Sequence, residues 1–351
     1  MDLYNLGTRP WQDTQSIYHA LAHLGREALC LVEPASPYVC LGFHQNAAKE
    51  LDLDYIAREG IPLFRREVGG GAVYLDRGQL FYQFILRKDD LRIPSDKAEL
   101  FEFLLKPVID TYREFGVPAE YKPVNDILSN GRKISGNGAA EIQGRVVVVG
   151  NFLLDFNFEK MARVLRVPDE KFRDKVHKTL QENLTTLPRE TGRAAPSIGE
   201  LSASFIRRCE GLFGPLVPRE VDGELRNKAE ALAAEYSAMV WVTENDRRED
   251  AGREIKIAEG VSVIERVTKL PGGLVRASAV NVKGRLRDIH LSGDFFFFPA
   301  PRLVDLERAL ENVELGAEPL TRRIEWFFQT YAIHAPGIRP EALAKVFYSS
   351  S

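Results

Sequence analysis

Two glycine-rich stretches carry the residues of this chain that could do chemistry. The first is Arg65-Arg66-Glu67-Val68-Gly69-Gly70-Gly71-Ala72-Val73. Three successive glycines leave no Cβ in the way of a ligand and let backbone N–H groups converge on an anion, while the preceding arginines can pair with a carboxylate or phosphate. A flexible hairpin corner with surface arginines reads equally well from the triplet alone. The second stretch runs from Asn125-Asp126 through Asn130-Gly131-Arg132-Lys133-Ile134-Ser135-Gly136. Asn-Gly favours the positive backbone angles of a tight hairpin turn, so Lys133 lies between two turns and can project a compact charge across a site. Asp126 could orient that lysine or help hold a hydrated Mg²⁺, which commonly takes one or two carboxylates plus substrate phosphates. The competing reading is a solvated Arg-Lys hairpin tip.

Other motifs are weaker. His19 and His23 have the i, i+4 spacing of a metal pair, yet no H-E-x-x-H pattern completes them, and they read as a partly buried helical face. Neither a G-x-x-x-x-G-K-[ST] loop, a G-x-G-x-x-G loop after a strand, nor a G-x-S-x-G elbow occurs. Cys40 sits in an apolar strand-like run as a small core residue, and Phe295 to Phe298 read as a buried strand or an interdomain contact.

The elements that must position these residues follow from periodicity. Trp11 to Leu29, Leu51 to Arg58, Lys97 to Phe115, Phe158 to Leu165, Ser197 to Phe213 and Glu220 to Tyr236 read as helices. Tyr38–Leu41, Leu63–Arg66, Ala72–Leu75 and Leu80–Leu86 read as strands, the last three joined by tight turns. Val146–Val149 should pair with Phe152–Phe156. From Asp246 to Glu254 most residues are charged and no apolar period appears, as in a solvated linker. This divides the chain into a domain over 1–245 and a smaller one over 255–351, built from strands Val261–Thr268, Leu274–Val282 and Leu286–Leu291 and helices Leu303–Leu310 and Pro340–Val346. A domain so joined is expected to move. The fold class is α+β, with mixed, largely antiparallel sheets flanked by helices.

With 351 residues there is ample material for two cores, and 47 basic against 50 acidic residues leave a net charge of −3, no general attraction for nucleic acid or anionic lipid. Three cysteines, Cys30, Cys40 and Cys209, without a C-x-x-C pair, fit a reducing cytoplasm rather than a disulfide framework. No stretch reaches the length of a membrane span or signal core, so neither membrane nor nucleic-acid partners are expected.

The segments Arg65 to Val73, Asn125-Asp126 and Gly131-Arg132-Lys133-Ile134-Ser135-Gly136, in this order and separation, resemble the signature of the lipoate–protein ligase A family within the biotin/lipoate ligase superfamily. Gly272 to Arg276 and Leu291 to Phe296 are similar to the accessory domain of its two-domain members. The resemblance implies ATP-dependent activation of lipoate to lipoyl-AMP, with Mg²⁺, and transfer to a lysine of a carrier. That carrier would be a glycine-cleavage-type protein, a dehydrogenase lipoyl domain or a lipoate-binding protein of sulfur metabolism. It implies Lys133 as the catalytic cation, and Arg66, Val68, Gly69, Gly70, Gly71, Ala72, Asn125, Asp126, Ser135 and Gly136 as lipoate and adenylate contacts, with Asp126 also at the metal. Two positions depart from the family pattern: Leu75 and Val149 stand where many members have histidine. The rival within the superfamily is an octanoyl or lipoyl transferase, which needs a cysteine shortly before the lysine hairpin, and Tyr121 to Asp126 contains none. A non-catalytic lipoyl- or nucleotide-binding protein is the alternative from a different class.

Overall fold

The computed structural model describes residues 1–250 and 260–348, with only the main chain of Glu249 and Asp250. It is an α+β structure. Its main sheet has six strands in the order Asn137–Ile142, Arg145–Leu153, Gln79–Arg87, Ala28–Pro34, Asp2–Arg9 and Val217–Pro218. The first four run antiparallel, each to the next, and the last two join in parallel.

This sheet is covered on both faces. Leu29 and Leu31 point into one core, with the helices Lys97–Glu114 and Ile198–Phe213, while Ala28, Cys30 and Val32 point into another, with Trp11–His23 and Gly223–Ser237. A strand buried on both faces shows no alternation of apolar and polar residues. That is why Ala28 and Leu29 read as the tail of the preceding helix. The helix in fact stops at His23, and Ala28–Pro34 is a fully buried strand.

Further corrections follow from the same cause. Leu63–Arg65 and Val73–Leu75 do not pair with each other but flank Tyr38–Leu41, parallel on one side and antiparallel on the other, and Gln79–Arg87 belongs to the main sheet. Val146 to Leu153 is one continuous strand, so the expected pairing of Val146–Val149 with Phe152–Phe156 does not form. The helices Arg173–Asn183 and Ala317–Thr330 and the strand Asp2–Arg9 escape the periodicity reading altogether. The hairpin matches its reading: Asp126–Ser129 and Arg132–Ser135 pair around Asn130 and Gly131, whose φ values are 48° and 76°.

The C-terminal unit is a three-stranded antiparallel sheet, Val261–Leu270, Gly273–Val282 and Arg285–Phe295, backed by Arg302–Leu310, Ala317–Thr330 and Pro340–Lys345 around a core of its own. Of the expected charged linker, the first residue, Asp246, is buried. Glu244–Asp250 is helical, and the buried carboxylate of Asp246 accepts from the backbone N–H groups of Ala47 and Ala48 at 3.1 and 2.9 Å. Residues 251–259 lie outside the described residues.

The two units are packed together rather than loosely joined. Phe295 and Phe297 lie in the C-terminal core, whereas Phe296 and Phe298 lie in the large N-terminal core. Alternation along one extended segment thus inserts side chains into both bodies. His44 stacks on Phe295 with ring centroids 4.9 Å apart, Phe296 meets Phe101 at 5.5 Å, and Arg276 pairs with Glu50 at 2.9 Å. The described helices include none long and apolar enough to cross a membrane.

Candidate active site

The two glycine-rich stretches, some sixty residues apart in sequence, meet at one cavity of about 500 Å³. Its walls include Arg66, Gly70, Asn125, Asp126 and Lys133 from the N-terminal body, and Lys269, Asp294 and Phe296 from the C-terminal unit.

The glycine turn is held from within. Arg66 Nη2 donates to the carbonyls of Gly69 and Gly71 at 3.0 and 2.9 Å, so the guanidinium clasps the turn while its charge sits in the cavity wall. Gly70 has φ +103°, a conformation that disfavours a side chain, and a Cβ on Gly42 would lie 1.8 Å from the Gly70 oxygen. Arg65 faces the other way and is fully buried. It donates to the carbonyls of Val242, Gly42, Phe43 and Gln45, a brace between segments rather than a surface arginine. Between the two roles, Glu67 accepts from His23 Nε2 at 2.6 Å and from the Tyr236 hydroxyl. Burial pushes the Glu67 carboxyl up, but the His23 hydrogen bond and its neighbours outweigh this and hold it below the usual range. His19 donates from Nδ1 to the Gln15 carbonyl and accepts at Nε2 from the Glu67 N–H, so both ring nitrogens are committed within the fold. Its burial pulls it down to about 4.

The hairpin is anchored at its tip by a carboxylate remote in sequence. Glu190, whose side chain is fully buried, accepts from Ser129 Oγ, Asn130 Nδ2, Arg132 Nη2 and Thr185 Oγ1, all within 2.6–2.7 Å. Arg132 is therefore part of the scaffold and not a solvated tip. Lys133, on the same strand, reaches the cavity and pairs with Asp126 at 2.7 Å, both about one-third exposed.

Below them lies a buried amide network. Gly136 N–H donates to Asn151 Oδ1 at 2.9 Å, and Asn151 Nδ2 donates to Gln79 Oε1 at 3.0 Å. Asn125 Nδ2 donates to the Asn137 carbonyl at 2.6 Å, and Asn137 Nδ2 returns to the Asn125 carbonyl at 2.8 Å. The side chain expected beside the phosphates thus spends one donor on shaping the wall.

The cavity is lined by Arg66, Gly70, Gly71, Ala72, Asn125, Asp126, Lys133 and Gly136 of the expected contacts. Three others lie behind the wall. Val68 is buried in the core and touches the space beside Gly138; Gly69 packs beneath Phe295 and Phe296; and Ser135 is buried, with its hydroxyl donating to the Asn151 carbonyl at 2.7 Å. Gly69 and Ser135 each sit next to a residue that does face the cavity, Gly70 and Gly136. Leu75 and Val149 both line the cavity, so the departures from the family pattern fall on its surface.

Sequence reasoning missed Glu190, the C-terminal residues Lys269, Asp294 and Phe296, and the polar residues Gln15, Gln79 and Gln83. Glutamines in a strand buried on both faces are themselves a signal, since such strands otherwise contain apolar residues. The described residues include no cluster of three or more His, Cys, Asp or Glu side chains able to hold a metal. Asp126 offers a single carboxylate, one oxygen of which meets Lys133. This suits a magnesium ion carried mainly by substrate phosphates rather than an all-protein cage.

Residues 9–210 match the family model described as the lipoyl protein ligase A/B catalytic domain. The chain is 34% identical over 218 residues to lipoate-protein ligase A subunit 1 of Thermoplasma acidophilum, covering 58% of this chain and 79% of that protein. It is also 25% identical over 228 residues to the octanoyltransferase LipM of Kyrpidia tusciae, covering 58% of this chain and 82% of that one. Among solved structures, the bipartite lipoate protein ligase of T. acidophilum, described with its E2 lipoyl domain, superposes with a TM-score of 0.59 at 26% identity, over 68% of this chain and 94% of that one. The chain belongs to the lipoyl protein ligase A/B catalytic-domain family.

Proposed function

We propose that this protein is an ATP-dependent lipoate–protein ligase, which converts lipoate to lipoyl-AMP and passes the lipoyl group to a lysine of a lipoyl domain. The observation that carries this reading is the Lys133–Asp126 pair in the wall of a cavity that also holds the clasped glycine turn. In the first step the acyl carboxylate attacks the α-phosphorus of ATP and pyrophosphate leaves. Two anions approach each other there, and a fixed ammonium at Lys133 offsets the charge that accumulates. Asp126 keeps that ammonium oriented and offers its other oxygen to magnesium, which when bound would neutralise the phosphates. In the second step the carrier amine attacks the acyl carbon and AMP leaves.

The state of the cysteines favours ligation over the transferase reaction. Cys40 borders the cavity, but it is fully buried and burial pushes its thiol up, so the nucleophilic thiolate is disfavoured. The relative described with its E2 lipoyl domain supports a lipoyl domain as acceptor.

The test is pyrophosphate release from ATP with lipoate and Mg²⁺, followed by the mass gained by apo-carriers of the three kinds. Acyl transfer without ATP from an acyl-thioester donor, whose thiol leaves as an acyl-enzyme forms on Cys40, would establish the transferase instead. Binding of lipoate without either reaction would establish the non-catalytic reading.

A further inference from the structure

The cavity wall contains a buried hydrogen-bond acceptor that no described residue satisfies. Gln83 lies in the strand Gln79–Arg87, paired with Cys30 on one side and Val149 on the other, and is only 2% exposed. Its Nε2 donates to the Thr14 carbonyl at 2.7 Å. A carbonyl accepts only, so this contact fixes the amide orientation and leaves Oε1 as the free atom. Among the described residues no donor reaches that oxygen.

The neighbouring hydroxyls cannot turn to it. Thr14 Oγ1 donates to the Trp11 carbonyl at 2.6 Å, so it must accept from Tyr38 at 2.9 Å. Tyr38 in turn accepts from Gln15 Nε2 at 2.7 Å, and Tyr18 donates to Gln15 Oε1 at 3.1 Å. Every hydroxyl proton in this cluster is committed. Gln83 Oε1 is thus a directed acceptor in the cavity wall, and leaving such a group against hydrocarbon carries a desolvation penalty.

Its position assigns it to the far end of the acyl chain. Gln79, Phe81 and Gln83 line the cavity from one strand, and Gln79 connects through Asn151 to Gly136, close to Lys133. Four residues further along, Gln83 lies about 13 Å away at ~3.3 Å per residue, a distance suited to an extended eight-carbon acid with its carboxylate at Lys133.

We propose that Gln83 selects an acyl chain bearing hydrogen-bond donors at its distal end, which makes the reduced, dithiol form of lipoate the preferred acyl group over octanoate and over the oxidised ring. This rests on the ligase reading of the same cavity. A thiol donates weakly, whereas the alkyl end of octanoate and the closed disulfide have no proton to offer.

The test is calorimetry of the intact chain under nitrogen with dihydrolipoate, lipoate and octanoate, without ATP or carrier. Dihydrolipoate should bind about fivefold more tightly than octanoate, the scale of one net hydrogen bond. In Gln83→Met, of similar shape but without the acceptor, octanoate should bind about fivefold more tightly and the preference should vanish. Equal affinities for dihydrolipoate and octanoate in the unaltered protein would overturn the selectivity while leaving the ligase reading intact, whether or not the variant folds. An equal shift for all three ligands in a folded Gln83→Met would do the same. Absence of binding by any of them would overturn the acyl-pocket assignment and this inference together.

Discussion

Lys133 Nζ stands 2.7 Å from Asp126 Oδ1 across a hairpin whose tip is locked by Glu190, so the ammonium is oriented before any substrate arrives. On the ligase reading, Lys133→Ala should lower adenylate formation by about 10² to 10³, the loss typical of one preorganised group at a developing anion. Melting temperature should barely change, because the side chain is part-exposed. Pyrophosphate release at near-normal rate in this variant would remove Lys133 from the mechanism.

Glu190 should matter for stability and, through the hairpin, for activity. Its carboxylate takes hydrogen bonds from four side chains while itself buried. Glu190→Ala should cost about 3 kcal/mol in chemical denaturation, since charge-assisted bonds and their buried donors are lost together. Adenylation should fall in the folded variant as Lys133 loses its fixed position. Unchanged denaturation would show the clamp to be unimportant.

The docking of the C-terminal unit should depend on Phe296, which packs on Phe101 and against Gly69. Phe296→Ala is expected to cost about 3 to 5 kcal/mol, as for other buried aromatic truncations. Denaturation monitored at the two cores should then split into two transitions. A single transition at the original midpoint would mean that the aromatic alternation does not couple the units.

Acid stability should report on His19. Its folded value of about 4 lies below the ordinary 6.5, so the unfolded chain takes up a proton that the folded chain refuses. The resulting stability is complete above about 6.5 and is lost on acidification, at about 1.4 kcal/mol per pH unit between roughly 6.5 and 4. In His19→Gln the fall over this window should be shallower by one proton. Equal slopes for the two proteins would show that His19 is not the group that titrates.

A side chain at Gly71 should push Asp294 aside, because a Cβ there would lie 2.9 Å from Asp294 Oδ2. Gly71→Val is therefore expected to displace Asp294 and weaken lipoate binding, read by calorimetry. Unaltered affinity would place the acyl group away from this wall.

The chemistry-bearing segments were legible in the sequence because each is short and its backbone preferences are local. Asn130-Gly131 specifies the turn that presents Lys133, and consecutive glycines at 69–71 mark a close approach whatever surrounds them. Helices with one apolar stripe, such as Lys97–Glu114, were legible for the same reason. Tertiary packing alone decided the rest. Ala28–Pro34 became a strand because two separate cores take its alternate residues; Asp246 left the solvent because it caps the helix Ala47–Glu50 from two hundred residues away; Glu190 met the hairpin sixty residues behind it. Spacing along a chain records conformational preference, whereas which charge is buried, which carbonyl lacks a donor and which phenylalanine enters which core depend on groups that only folding brings within reach.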